Sequence, residues 1–174
     1  MVEIINMTRM NLKNPLLLFL IFLCSANVFS QNIDSSKSLW LSELDEFWKE
    51  VSRTVSDGDF EAYAATYHEK AILVSGISDE AYPIADALAR WKKGFDDTRA
   101  GLGKSSVEFR FSKRIGDGRA AHETGIFHYS YEIGGERNSV YINFEALLIK
   151  ENGWMMMMEY QKSRATEEEW NLLK

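Results

Sequence analysis

Two successive glycines, Gly134-Gly135, separate two stretches of alternating apolar and polar residues, and they restrict this chain more than any other feature. A two-residue glycine turn suits a tight hairpin, because the favoured turns need positive φ at their central positions. It sets Ile133 opposite Glu136, and so pairs Phe127 with Ile142, Tyr129 with Val140 and Gly125 with Phe144. Side chains then sort by face. Phe127, Tyr129, Tyr131, Val140, Ile142, Phe144, Ala146 and Leu148 fall on one side, and His122, His128, Tyr141, Asn143 and Glu145 on the other. At the next turn, a three-residue loop Glu151-Asn152-Gly153 aligns Lys150 with Trp154 and puts Trp154, Met156, Met158 and Tyr160 on the apolar face. A two-residue Asn-Gly turn is the alternative, and it swaps the face of the whole last strand. From Ser105 onward the chain therefore reads as four strands of period two.

Upstream the period is helical. Leu41, Leu44, Trp48, Val51 and Val55 recur at spacings of three and four, which predicts an amphipathic helix over 36–56 that Gly58 ends. Asp59 is placed to cap a second, shorter helix carrying Phe60, Tyr63 and Tyr67. Ala71 to Val74 reads as a short buried strand. Pro83 suits the first turn of a third helix with Ile84, Leu88, Trp91 and Phe95 on one face and Gly101 beyond its end. Thr166-Glu167-Glu168-Glu169 is a capping box, and it predicts a short final helix carrying Trp170 and Leu173.

The first thirty residues read differently. Arg9 and Lys13 precede an apolar run from Pro15 to Cys24 and then the small or polar stretch Ser25 to Ser30, the order of a secretory signal. The run is about half of the roughly 20 residues a membrane-spanning helix needs, so no anchor is expected to survive cleavage. The expected cut precedes Gln31. Cys24 raises lipidation as an alternative, against which Leu23 argues. Met7 and Met10 are alternative starts. Cleavage removes the only cysteine and takes basic residues from 20 to 18 and acidic ones from 26 to 25, a net charge of −7. No disulfide, thiolate metal site or nucleic-acid partner is expected of such a chain. Residues 31–174 fit one domain.

Gly58-Asp59-Phe60 with Tyr63, Tyr67 and Ala71, then Ile84 to Phe95, then Gly125, and Asn152-Gly153-Trp154 opening the last long strand form an ordered set of landmarks. In order and spacing they resemble the nuclear transport factor 2-like superfamily, in its SnoaL-like and ketosteroid isomerase-like branch, across Leu39 to Ser163. That resemblance implies an α+β fold: a cone-shaped roll of curved, mostly antiparallel sheet wrapped around three N-terminal helices, here followed by the short C-terminal one. It also implies an apolar pocket and a homodimer packed through its sheets. The family's enzymes include isomerases, dehydratases and epoxide hydrolases, and other members are binding domains. No catalytic set of those enzymes aligns with this sequence, so no catalytic residue is carried over.

The residues themselves offer few candidates. Glu123 falls on the apolar sheet face opposite Ala146, where a carboxylate is a candidate general acid or base. The plainer reading, a strand-end group paired with Arg119 or solvated, is preferred. His68 either points into the cone mouth or sits at a helix C-terminus favoured by the dipole. His122 and His128 share a face but lie too far apart for one metal. Met155 to Met158 cannot all face one site, since alternate strand residues point opposite ways. No phosphate-binding glycine loop, Ser-His-Asp spacing or helical metal motif occurs, so neither cofactor nor metal is expected.

The expected pocket lining is Tyr63, Tyr67, Trp91, Phe95, Tyr129, Phe144, Met158 and Tyr160, a wall for a small planar or alicyclic molecule. Three functions stay open: binding of a small, mostly apolar ligand, cofactor-free acid–base catalysis, and a dimeric interaction module with a filled pocket. An unpaired ionisable group in an open cavity would mark catalysis. A cavity without one would mark binding, and a closed cone the interaction module.

Overall fold

The structure, a computed structural model, describes Lys37 and residues 39–173. The signal segment 1–30 with Cys24, and the start of the first helix at Ser36, lie outside the described residues.

Helix α1 runs through residues 39–57, and its buried stripe is Trp40, Leu44, Trp48, Val51 and Val55. It stops at Gly58, whose φ of +67° is cheap only for glycine, and a Cβ there would lie 2.5 Å from the Arg99 amide nitrogen. Asp59 caps α2 (Phe60–Ala65) by accepting the Ala62 N–H. This helix is shorter than the periodicity suggests: Tyr67 and His68 belong to strand β1 (Tyr67–Ser75), which also extends well beyond the expected 71–74. Four residues that carry no strand signal, β2 (Glu80–Pro83), pair with it. Pro83 therefore ends a strand and stands just before α3 (Ile84–Arg99) rather than in its first turn.

The four expected strands follow as β3 (Gly103–Gly116), β4 (Ala120–Ile133), β5 (Glu136–Lys150) and β6 (Trp154–Ala165). With the first two strands they make a six-stranded sheet in the order β2-β1-β6-β5-β4-β3, antiparallel except where β1 meets β6. The Gly134-Gly135 hairpin holds the expected register, with Phe127 opposite Ile142, Tyr129 opposite Val140 and Glu123 opposite Ala146. Lys150 aligns with Trp154, so the three-residue turn is the one formed.

Curvature comes from register breaks. A bulge interrupts β3 between Phe111 and Lys113, and beside it β3 crosses β4 so closely that a Cβ on Gly125 would lie 2.1 Å from the Arg110 carbonyl oxygen. Strand β6 is broken twice. Between these breaks the sheet curls over α1, and Phe144, Ala146, Leu148 and Met156 meet Leu44 and Trp48 in the core.

The outer face carries α4 (Glu167–Leu172), whose capping box forms as expected, with Thr166 and Glu169 satisfying each other's backbone N–H groups. Trp170 is buried from that side, near His128 and Tyr141, and the Arg110 guanidinium lies 4.3 Å from its ring centroid. The same guanidinium donates to the Trp170 and Leu173 carbonyls, tying the helix end to β3.

Candidate functional site

Between the helices and the concave face of the sheet lies an open cavity of about 410 Å³. Helix α2 brings Tyr63 to it, and β1 brings Tyr67. Helix α3 presents Trp91, Gly94 and Phe95, while β4 and β5 present Tyr129 and Phe144. The aromatic wall is built from near-perpendicular and tilted pairs: Tyr63 stands 4.7 Å from Phe95, 6.1 Å from Trp91 and 5.7 Å from Tyr67, centroid to centroid. Six of the eight residues expected in the lining are thus brought together.

Met158 and Tyr160 are not among them. The first break in β6 comes where Met156 pairs with Leu148 and Met158 already pairs with Leu147, so Met157 is an extra residue. The side chains from Met158 to Gln161 change face, until the second break at Lys162 restores the original alternation. Met158 and Tyr160 turn to the outside of the sheet, and Glu159 and Gln161, opposite Ala146 and Phe144, turn into the cavity. Nothing in the alternation of Trp154, Met156, Met158 and Tyr160 announces this, because four identical side chains give no sign of where one has been skipped.

Glu159 is therefore the acidic group of the cavity, and it is buried. The Tyr67 hydroxyl donates to its Oε2 at 2.5 Å and Gln161 Nε2 to its Oε1 at 2.7 Å. The Tyr63 and Tyr67 hydroxyl oxygens are 3.2 Å apart, which extends the chain to the aromatic wall. Burial raises the Glu159 carboxyl above its ordinary range, against the opposing pull of the two donors. Burial and the nearby Glu159 charge raise both tyrosine hydroxyls as well, so they stay protonated donors. A second polar group, Ser105 with Thr98 at 3.1 Å and Tyr129 at 3.4 Å, lies elsewhere on the lining.

Glu123 has the face expected of it but not the surroundings. It is fully buried outside the cavity lining, where Trp48 Nε1 donates to its Oε2 at 2.5 Å and Arg114 Nε to its Oε1. Its partner is Arg114, steadied by Asp45 at 2.5 Å, and not Arg119, which pairs with Asp117 at 3.1 Å. A carboxylate held by an indole and a guanidinium is a structural ion pair, with no oxygen turned toward a ligand. None of the three histidines lines the cavity. His68 lies in β1 with Nδ1 accepting the Lys70 N–H, neither at a helix end nor on the cavity. On the outer face His122 meets Glu145 at 3.1 Å, and His128 stacks on Tyr141 at 4.2 Å. Among the described residues, no group of three or more His, Cys, Asp or Glu is placed to hold a metal ion.

Several solved structures are similar to this chain at low sequence identity. A nuclear transport factor 2-like protein of unknown function from Shewanella oneidensis MR-1 superposes with a TM-score of 0.53 at 18% identity, covering 69% of this chain and 96% of that one. The beta subunit of benzoate 1,2-dioxygenase from Burkholderia mallei gives 0.58 at 17% identity, over 69% of this chain and 87% of that one. A ketosteroid isomerase-like protein from Erwinia carotovora atroseptica gives 0.53 at 14% identity, over 72% and 96%. No protein-family model matches the chain, and no curated protein matches it in sequence. What these likenesses establish is the fold: the chain has the nuclear transport factor 2-like cone architecture, as its landmarks imply.

Proposed function

We propose that this chain is an exported domain that binds a small, mostly apolar molecule in its cone. The observation that carries the reading is the cavity of about 410 Å³, of ligand size, open and walled by aromatic rings with a few convergent polar groups. A closed cone, the mark of a filled interaction module, is not what the helices and sheet enclose. Export rests on the order of residues 9–30, and it is tested by the intact mass of protein recovered from the producing cells, which should begin at or near Gln31. An uncleaved chain in the membrane fraction would overturn it.

Pocket binding is tested by titrating the protein with a neutral planar alcohol such as naphthalenemethanol and following amide shifts by NMR. Shifts should concentrate at Tyr63, Trp91 and Phe95 and vanish in Gly94→Leu, whose side chain would project into open space on the cavity wall. Shifts scattered over the surface would defeat the reading.

A cofactor-free acid–base enzyme is the second reading, and Glu159 is what favours it. A carboxyl raised by burial and linked to Tyr67 and Tyr63 is suited to exchange a proton with a substrate. Turnover lost in Glu159→Gln with binding retained would select that reading. A homodimer draws support from the part of the outer face beyond α4, where Leu147 is 40% exposed and Met158 lies beside it, and equilibrium sedimentation tests it.

A further inference from the structure

The cavity's one acid has no counter-ion. Among the described residues that line it, Arg90 is the sole cation, and Arg90 is engaged elsewhere: it lies 4.2 Å over the Tyr82 ring and its Nε donates to the Asp86 carbonyl at 3.1 Å. Both hydrogen-bond partners of Glu159, Tyr67 and Gln161, are neutral. The titratable groups that face it are Tyr63 from α2, Tyr67 from β1, Tyr129 from β4 and Arg90 from α3. None of them neutralises a carboxylate at this point.

A buried charge with hydrogen-bond donors but no counter-ion is costly, and a positive group or a proton at the carboxylate offsets that cost. The walls point the same way. Tyr63, Trp91, Phe95 and Tyr129 line the cavity, and aromatic rings can attract a cation at their faces. An anion would meet the carboxylate at short range in a medium of low dielectric. A neutral apolar body would fill the space but leave the acid as it stands.

Resting on the reading of the cavity as a small-molecule site, we infer that its ligand is an organic cation: a protonated amine on a planar or alicyclic apolar body. The ammonium N–H groups fit the Glu159 carboxylate and the Tyr63 hydroxyl oxygen, and the body fits against Trp91 and Phe95. Where Glu159 holds a proton before binding, the ammonium replaces it and the proton leaves to solvent. Charge is conserved, and binding is linked to proton release. Affinity therefore rises with pH until the amine itself loses its proton.

The test is calorimetric titration of the purified chain with three probes of one shape: naphthylmethylamine, naphthalenemethanol and naphthoate. Measurements at about pH 5 and about pH 8, in buffers of different ionisation enthalpy, count the protons released. The amine should bind about tenfold or more tighter than the alcohol, which is what a charged hydrogen bond with ring faces is worth. Naphthoate should not bind, and proton release should accompany the amine only. Glu159→Gln should remove the amine's advantage over the alcohol and the proton release, with an unchanged far-UV circular dichroism spectrum showing that the variant is folded. If alcohol and amine bind wild type alike, the cationic ligand is refuted while the small-molecule reading stands. If none of the three binds, both fall. Amine binding that survives in Gly94→Leu would place the probe outside the cavity and refute the inference too.

Discussion

Trp48 and Trp154 are both buried, at 4% and 8% exposure, and each donates its indole N–H to a glutamate, yet replacing each by phenylalanine should have unequal consequences. Loss of ring volume is common to both substitutions. The acceptors differ. Trp48 reaches Glu123, a carboxylate with no exposed surface, and Trp154 reaches Glu43, which keeps about a third of its side chain in solvent and also binds Lys150 at 2.6 Å. Removing a donor from a fully buried charge forfeits about 1.5–3 kcal/mol, because water cannot take its place. Removing one from the partly exposed Glu43 forfeits at most about 1 kcal/mol, since solvent and lysine remain. Trp48→Phe should therefore cost about 1–2 kcal/mol more than Trp154→Phe. Urea unfolding followed by far-UV circular dichroism measures both without relying on the altered fluorescence, and a common m-value shows that the unfolded states match. Equal losses would mean that Arg114 alone satisfies Glu123, and the account of a two-donor structural carboxylate would be wrong.

Glu159→Gln should change stability in a pH-dependent way: burial holds the folded-state carboxyl above its ordinary 4.5, so folding binds a proton, and wild-type stability, full at acid pH, falls as pH rises through the raised value. The variant has no such loss, so its melting temperature relative to wild type should climb as pH rises above the ordinary carboxylate range, and a difference flat with pH would contradict the assignment. Gly94 lies inside α3 with nothing within 4 Å of an added Cβ, so Gly94→Ala should stabilise by about 0.5–1 kcal/mol in the same urea assay, and a loss would reveal an unseen clash. Thr166→Ala removes the α4 cap and should cost about 1 kcal/mol, with hydrogen exchange accelerated in α4 before the rest of the domain; uniform exchange would show that the helix does not open on its own.

Turn chemistry and alternation made the sheet legible. The paired glycines at 134–135 set β4 against β5 residue by residue, and of the two turns open at Glu151-Asn152-Gly153 the three-residue one is formed, because tight turns leave few registers. Helical periodicity gave α1 and the inner face of α3. Strand β2 escaped, since Glu80–Pro83 neither alternates nor carries β-branched residues, and it exists only because β1 offers it an edge. Tyr67 was assigned to a helix for a related reason: local spacing continues α2, but pairing with β6 claims the residue. The cavity was half legible. Its aromatic wall follows from side-chain period, whereas its acid does not, because a bulge is a property of two strands and one strand's sequence cannot disclose it. Glu123 was readable as inward-facing, but its partner was not, since Arg114 stands directly opposite it on β3, in a register that neither the 134–135 nor the 151–153 turn sets.

The break at Met157 has a further consequence for how this strand tolerates change. One methionine more or fewer in the run leaves identical side chains on either side of the change, and the surplus residue is already looped out of the ladder. Shortening the run to three would remove the first of the two breaks in β6 while leaving Glu159 and Gln161 pointing inward. The strand is thus a slack joint: loss of a residue there alters the bend of the wall without turning the acid out of the cavity, so bend and charge answer to different changes, one to deletion at 155–158, the other to substitution at 159.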